Sequence, residues 1–196
     1  MKSPIFLSAS IPDHKPFDQD YDPIAIREAI LALVSVAARE RLIVFGGHPA
    51  ISPVVEHAAR SLDALDNIHI YQSRFFEDKI PEVARRFQNF HWTPVENDSQ
   101  GHRNRAASLE VMRRTIITKY SFASAYFIGG MEGIFDEYKI FTEHYPHAKL
   151  AMVASGGGGA SQLFRSKIEL YTSKERELLE SENRFRRVIK YFLPTT

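Results

Sequence analysis

The chain has 196 residues, with 25 basic against 24 acidic side chains, 44% hydrophobic residues and no cysteine. A balance so close to neutral gives no strong field to steer it onto nucleic acid or an anionic bilayer, so a charged ligand must be held by local geometry. Without cysteine, disulfide frameworks, thiolate zinc sites and cysteine nucleophiles are excluded, and the length suits one domain that buries roughly 70% of its unfolded surface.

The opening MKSPIFLSASIPD has an apolar run too short for a secretory leader, and no later run approaches the ~20 residues a membrane helix needs. The expectation is a soluble, cytoplasmic protein with no membrane partner. Residues 4–10 form a short apolar run before a Pro/Asp loop, as a buried strand does, and the polar HKPFDQDYD follows. Asp22 and Pro23 then stand where an N-cap and first helical residue belong, with Ile26, Ile30, Leu33, Val34 and Ala37 on one helical face. RLIVFGG (41–47) reads as a second strand ending in glycines, and Ser52-Pro53 opens a helix to about residue 65.

IHIYQS (68–73) is a third strand, residues 80–90 have helical spacing, and HWTPV fits a short fourth strand. The polar NDSQGHRNR leads into a long helix through about Tyr120, followed by the strand SAYFIGG, a helix over 133–143 and the last strand, KLAMVAS (149–155). The glycine run GGGGAS (156–161) could wrap a phosphate or form a mobile turn, and the turn is the plainer reading. Leu178, Phe185, Ile189 and Phe192 then recur at helical spacing in the charged tail, which reads as one helix docked on the body or on a second subunit.

Strands that alternate with helices and read as unbroken apolar runs argue for a parallel sheet covered on both faces. The predicted architecture is a single α/β domain over residues 1–196, Rossmann-like, with a mainly parallel sheet sandwiched by helices and residues 173–196 as a C-terminal docking or oligomerisation helix.

Ligands of such sheets bind beyond the carboxyl ends of the strands. Three strand ends here carry marked loops: SASIPD, GGHPAISP and GGMEG. Amides of a glycine turn can approach a phosphate closely, and the dipole of the following helix adds about half a positive charge. The alternative is steric, because strand-to-helix turns often need glycine for their own sake. A G-x-G-x-x-G after the first strand and a P-loop are both absent, which disfavours a conventional nicotinamide oxidoreductase. His144 and His147 flank a Tyr-Pro pair with no accompanying carboxylate pattern, so no metal or resident cofactor is expected.

Ser8 and Ser10 could donate to a phosphate or base, and Gly46, Gly47 and His48 form the matching loop after the second strand. Arg113 could offer a bidentate fork to phosphate or simply pair with Glu110 one helical turn away. Arg103 and Arg105 could extend a pocket, although an exposed basic stretch is the commoner explanation, and Phe90 and Trp92 read as packing residues.

FIGGMEGIFDEY (127–138) resembles the PGGxGTxxE signature of the LOG proteins, the nucleoside monophosphate phosphoribohydrolases, and more broadly the SLOG superfamily that includes DprA and the TRPM sensor domains. Gly129 and Gly130 match the glycine pair, and Gly133 and Glu137 match the later glycine and glutamate if one residue is inserted. The family's Arg-Lys pair on the preceding helix has its counterpart in Arg113-Arg114 of MRRTIITKYSFASAYFIGG. With FLSAS and LIVFGGHPAISP the similarity extends over roughly residues 4 to 160. The chain looks closer to divergent bacterial SLOG branches, associated with TIR and Sir2 proteins in conflict systems, than to the LOG enzymes.

That resemblance implies a homo-oligomeric sensor of a nucleotide or NAD-derived molecule, with a TIR- or Sir2-type effector as possible partner. It implies a ligand site of Ser8, Ser10, Gly46, Gly47, His48, Arg113, Gly129, Gly130, Met131, Glu132, Gly133 and Glu137. The alternative it carries is a hydrolase of the N-glycosidic bond, in which Glu137 stabilises oxocarbenium charge beside Arg113. This chain departs from the signature at Ile128 and Ile134, in place of proline and threonine, and at the extra acid Glu132. A missing hydroxyl donor and an added carboxylate weaken the case for a phosphate in that turn and favour ribose hydroxyls.

Overall fold

The computed structural model describes residues 2–194; Met1 and residues 195–196, which the expected span of 1–196 includes, lie outside the described residues. The chain runs through β1 (Lys2–Ser10), α1 (Pro23–Ala37), β2 (Arg41–Gly46), α2 (Ser52–Ser61), β3 (Ile68–Ser73), β4 (Asn89–Thr93), β5 (Glu96–Asn97), β6 (Arg103–Asn104) and α3 (Arg105–Lys119). It continues through β7 (Ser124–Gly129), α4 (Gly133–His144), β8 (Lys149–Val153), α5 (Gly158–Ser166), α6 (Ser173–Glu180) and α7 (Phe185–Phe192). Six strands form one sheet in the order β4-β3-β2-β1-β7-β8, every neighbouring pair parallel, while β5 and β6 make a small antiparallel pair of their own. This is the α/β, Rossmann-like sheet sandwiched by helices that the apolar runs predict.

The local chemistry explains the elements. Asp22 caps α1 by accepting from the amides of Ile24 and Ala25 at 2.8 and 3.1 Å, with Pro23 in the first helical position where no amide is needed. Ile5, Phe6 and Leu7 are all at most 1% exposed, because helices cover the sheet on both faces. α1 packs against α2 and α7, and α3 against α4, as right-handed crossovers on either side of β1 require. Beneath α4, Phe6 stacks on Phe141 at 5.5 Å and 14° and meets Phe122 and Phe127 edge-on. Each such fully buried side chain stabilises the fold by about 1.5–3 kcal/mol.

Three segments differ from the expected elements. Residues 80–90 hold no α-helix: Ala84 and Phe87 are buried at helical spacing, but the chain makes 3-10 turns at Arg74–Lys79 and Glu82–Arg86 on either side of Pro81. GGGGAS is neither an open phosphate loop nor a mobile turn, since Gly158 begins α5 and Gly156, Gly158 and Gly159 are buried. The tail is two helices, broken where the Glu182 carboxylate accepts from the Arg184 amide (2.9 Å) and pairs with the side chains of Arg184 and Arg187. Those contacts, Arg184 foremost, push the Glu182 pKa down to about 2. α7 lies on the body of the same chain: Phe185, Val188, Ile189 and Phe192 are buried, and the Tyr126 hydroxyl donates to the Ile189 carbonyl at 2.9 Å.

Candidate functional site

The connections from β1 and β7 leave in opposite directions, and the two strands are neighbours, with Ser10 level with Gly129. Between their carboxyl ends lies the crevice where open α/β sheets hold ligands. Here it is a cleft of about 1190 Å³, floored by the ends of β1, β2 and β3 and walled by the inner face of α3 and by the β7–α4 turn. Of the residues the sequence singles out, Ser8, Ser10, Gly46, Gly47, His48, Arg113, Gly130, Met131, Glu132, Gly133 and Glu137 all line it, and Gly129 does not. Gly129 stands behind the wall at φ 63°, where an added Cβ would fall 2.5 Å from the Ser10 carbonyl oxygen. Its role is to let β7 turn against β1.

The Arg113 guanidinium is the centre of the polar floor. Its side chain is only 11% exposed, and Nη1 donates to Asp136 Oδ2 at 2.9 Å. Its Nε is buried without an acceptor, because Glu137 Oε1 is 3.6 Å away, beyond hydrogen-bond reach. Glu110, the partner weighed for Arg113, is taken instead by Arg114 at 2.6 Å. The first-turn acid of α4 is Asp136, so Glu137 lies one residue deeper than expected. Burial pushes the Glu137 carboxyl above its ordinary value, opposed by the neighbouring Arg113 cation and the Ser8 hydroxyl. A half-satisfied buried guanidinium beside a carboxyl with a raised pKa is an arrangement that functional sites favour and stable cores avoid.

The glycine turn differs from an open anion seat. The Gly130 amide donates to the Ser10 carbonyl at 2.8 Å, and the Gly130 carbonyl accepts from Gly159 at 2.8 Å, which ties α5 to the turn. The Glu132 carboxylate meets His14 Nε2 at 2.7 Å, and this contact above all lowers its pKa. His14 Nδ1 meets Asp13 at 2.6 Å. These bonds hold the His14 pKa above its ordinary value, Glu132 contributing most and Asp13 next. Among the described residues, the amides of Met131 and Gly133 remain without a protein acceptor. The turn therefore presents its own carboxylate at the mouth of the cleft.

After β2, the Gly47 amide donates to the Tyr71 carbonyl at 2.8 Å and its carbonyl accepts from Gln72 Nε2. His48 turns Nδ1 to the Ala50 amide at 3.2 Å, and burial lowers its pKa. Ser52 lines the cleft, and its hydroxyl is buried without a protein partner. Ser52 Oγ and Arg113 Nε are thus two buried polar atoms, on residues that line the cleft, that the chain does not satisfy.

Sequence reasoning missed several lining residues. Asp13 ends the marked SASIPD loop without an assigned role, His14 opens a polar segment without a motif, Lys79 ends a 3-10 turn, and Phe90, read as packing, joins the apolar wall with Ile80 and Met112. Arg105 does line the cleft, whereas Arg103 and Trp92 do not; Arg103 instead donates to the Arg74 carbonyl at 2.7 Å. One signal for Arg105 was available: it begins α3, where the helix dipole disfavours a cation. Among the described residues no group of three or more His, Cys, Asp and Glu side chains is arranged to hold a metal ion, and no helix is long and apolar enough to cross a membrane.

Fold and cleft together define a Rossmann-like α/β domain with its site at the switch point of the sheet. The sequence profile described as the SLOG cluster3 family matches residues 16–189, and the chain belongs to that family. No curated protein matches the sequence significantly. Among solved structures, the X-ray structure of TM1055, a structural-genomics target, is similar in fold, with a TM-score of 0.58 at 13% identity over 89% of this chain and 88% of that one.

Proposed function

We propose that the chain binds a nucleotide or NAD-derived small molecule in the switch-point cleft and serves as a ligand sensor in a bacterial defence or signalling system. The observation that carries this reading is Arg113: a buried guanidinium, oriented by Asp136, with an Nε that lacks an acceptor beside Glu137. Membership of the SLOG family supports the ligand class. On this reading Ser8, Arg113 and Glu137 meet the sugar, and the apolar wall of Ile80, Phe90 and Met112 takes the base. A sensor needs an output, supplied here by a homodimer or higher homo-oligomer or by a TIR- or Sir2-type effector, in the cytoplasm. Calorimetric titration with AMP, ADP-ribose, NAD and cyclic nucleotides tests it: at least one binds, and silence from all of them with a folded protein refutes it.

One observation supports a second reading, a hydrolase of the N-glycosidic bond. Glu137 has a raised pKa, sits beside a cation and lines the cleft, as a carboxyl that works on a sugar needs to. Chromatography for free base after incubation with nucleoside monophosphates decides between the two. Base released by wild type and not by Glu137→Gln establishes the hydrolase; no base from either leaves the sensor.

A further inference from the structure

The charges of the cleft are divided between its two sides. Around the β7–α4 turn stand four carboxylates, those of Asp13, Glu132, Asp136 and Glu137, and of the two cationic groups among them His14 pairs with Asp13 and Glu132 and Arg113 with Asp136. On the other side, Lys79 and Arg105 line the mouth, exposed, and neither has an ion-pair partner among the described residues. Glu110, the remaining acid of the wall, is held by Arg114.

The basic side is built rather than incidental. Arg105 lies over the Phe76 ring at 5.9 Å and Arg103 over Phe75 at 5.1 Å, while Arg103 Nη2 donates to the Arg74 carbonyl. These contacts fasten the 3-10 turn that carries Lys79 to the start of α3, so both cations belong to the same side of the cleft. Arg105 and Arg113 are eight residues apart on α3, about 12 Å along the helix axis, which puts them at opposite ends of that wall. Arg105 still acts on Glu132 across the mouth, helping to lower its pKa.

We propose that the phosphate group of the ligand docks on Arg105 and Lys79, on the α3 side of the mouth, and not on the glycine turn, whose carboxylates instead accept the ribose hydroxyls. This rests on the cleft's being a nucleotide site. An anion at the turn would meet the Glu132 carboxylate beside the free Met131 and Gly133 amides and find the Gly130 amide spent on Ser10; at Arg105 and Lys79 it meets two cations that no acid pairs directly among the described residues, one of them a planar fork suited to phosphate oxygens.

Calorimetry with inorganic pyrophosphate and with adenosine separates the parts. Pyrophosphate binds the wild-type protein, binds Arg105→Gln/Lys79→Gln at least about tenfold more weakly, and binds Glu132→Gln about as well as wild type; adenosine does not distinguish the double variant from wild type. Circular dichroism checks that the variants, altered only at exposed residues, are folded. No pyrophosphate binding by wild type, equal binding by the double variant, or a gain confined to Glu132→Gln overturns the proposal. Pyrophosphate binding as described, with no adenosine or nucleotide bound, leaves the anion subsite standing and removes the nucleotide reading on its own.

Discussion

Arg113 occupies the space that a side chain at residue 133 would fill: a Cβ added to Gly133 falls 2.7 Å from Arg113 Nη2. The third glycine of the GGMEG turn is therefore required by a cation 20 positions upstream, and not by its own backbone, whereas Gly129 and Gly130 have φ of 63° and 86°.

Gly133→Ala consequently separates fold from site. The methyl group displaces the end of a flexible side chain, and alanine is the better helix former by about 1 kcal/mol. The melting temperature stays within a few degrees of wild type, while affinity for whichever nucleotide binds falls about tenfold as the guanidinium moves. Gly129→Ala behaves in the opposite sense. Its methyl meets a backbone carbonyl in a left-handed conformation, and denaturant melts show a loss of more than about 2 kcal/mol.

Arg113→Met leaves Glu137 buried without its cation. The carboxyl, already above its ordinary pKa, rises further and is protonated over a wider pH range, which limits the damage to stability to about 1–3 kcal/mol. Carbon-detected NMR of the Glu137 carboxyl reads the shift directly; an unchanged titration contradicts the placement of Arg113.

His14 and His48 act on stability with opposite pH dependence. The folded pKa of His14 is raised above 6.5, so its link to Glu132 contributes fully below that value and is lost as pH rises through the folded pKa. His48 is buried with a lowered pKa, so its contribution is full above 6.5 and falls as pH drops through that value towards the folded pKa. Denaturant melts of His14→Gln and His48→Gln across about pH 5 to 8.5 test this. The gap between wild type and His14→Gln narrows on the alkaline side, and that for His48→Gln narrows on the acid side.

Tyr126→Phe removes the hydroxyl that holds α7 to β7 and leaves the Ile189 carbonyl without that donor. The loss is about 1–2 kcal/mol, and hydrogen exchange of α7 amides accelerates more than that of α1.

The strands were legible because a parallel sheet buried on both faces leaves no polar alternation: Ile43, Val44 and Phe45 are each 0% exposed. α1 was legible from its Asp22-Pro23 start. α5 was hidden because its first residues are glycines for packing reasons, Gly159 lying within 3 Å of Ile134 and the Met131 carbonyl if given a Cβ; propensity alone argues against a helix there. The candidate site was legible where one segment carries it, as in GGMEG with Glu137, and, through the family resemblance, at a fixed distance upstream along the chain, as with Arg113. The bridge from His14 to Glu132 joins residues 118 apart, and only the pairing of β1 with β7 across the switch point brings them together. Arg105 and Lys79 are linked in the same way, through Phe75, Phe76 and the Arg74 carbonyl, by contacts with no local sequence mark.

On the proposed function, the cleft at the β1–β7 switch point, lined by Arg113, receives a nucleotide-derived ligand. Parallel titration of wild type and Arg113→Met with AMP, ADP-ribose, NAD and cyclic nucleotides measures this most directly. One of these binds the wild-type protein at one site per chain, and the folded variant loses at least about tenfold in affinity; binding that Arg113→Met leaves unchanged, or no binding to folded wild type, contradicts it.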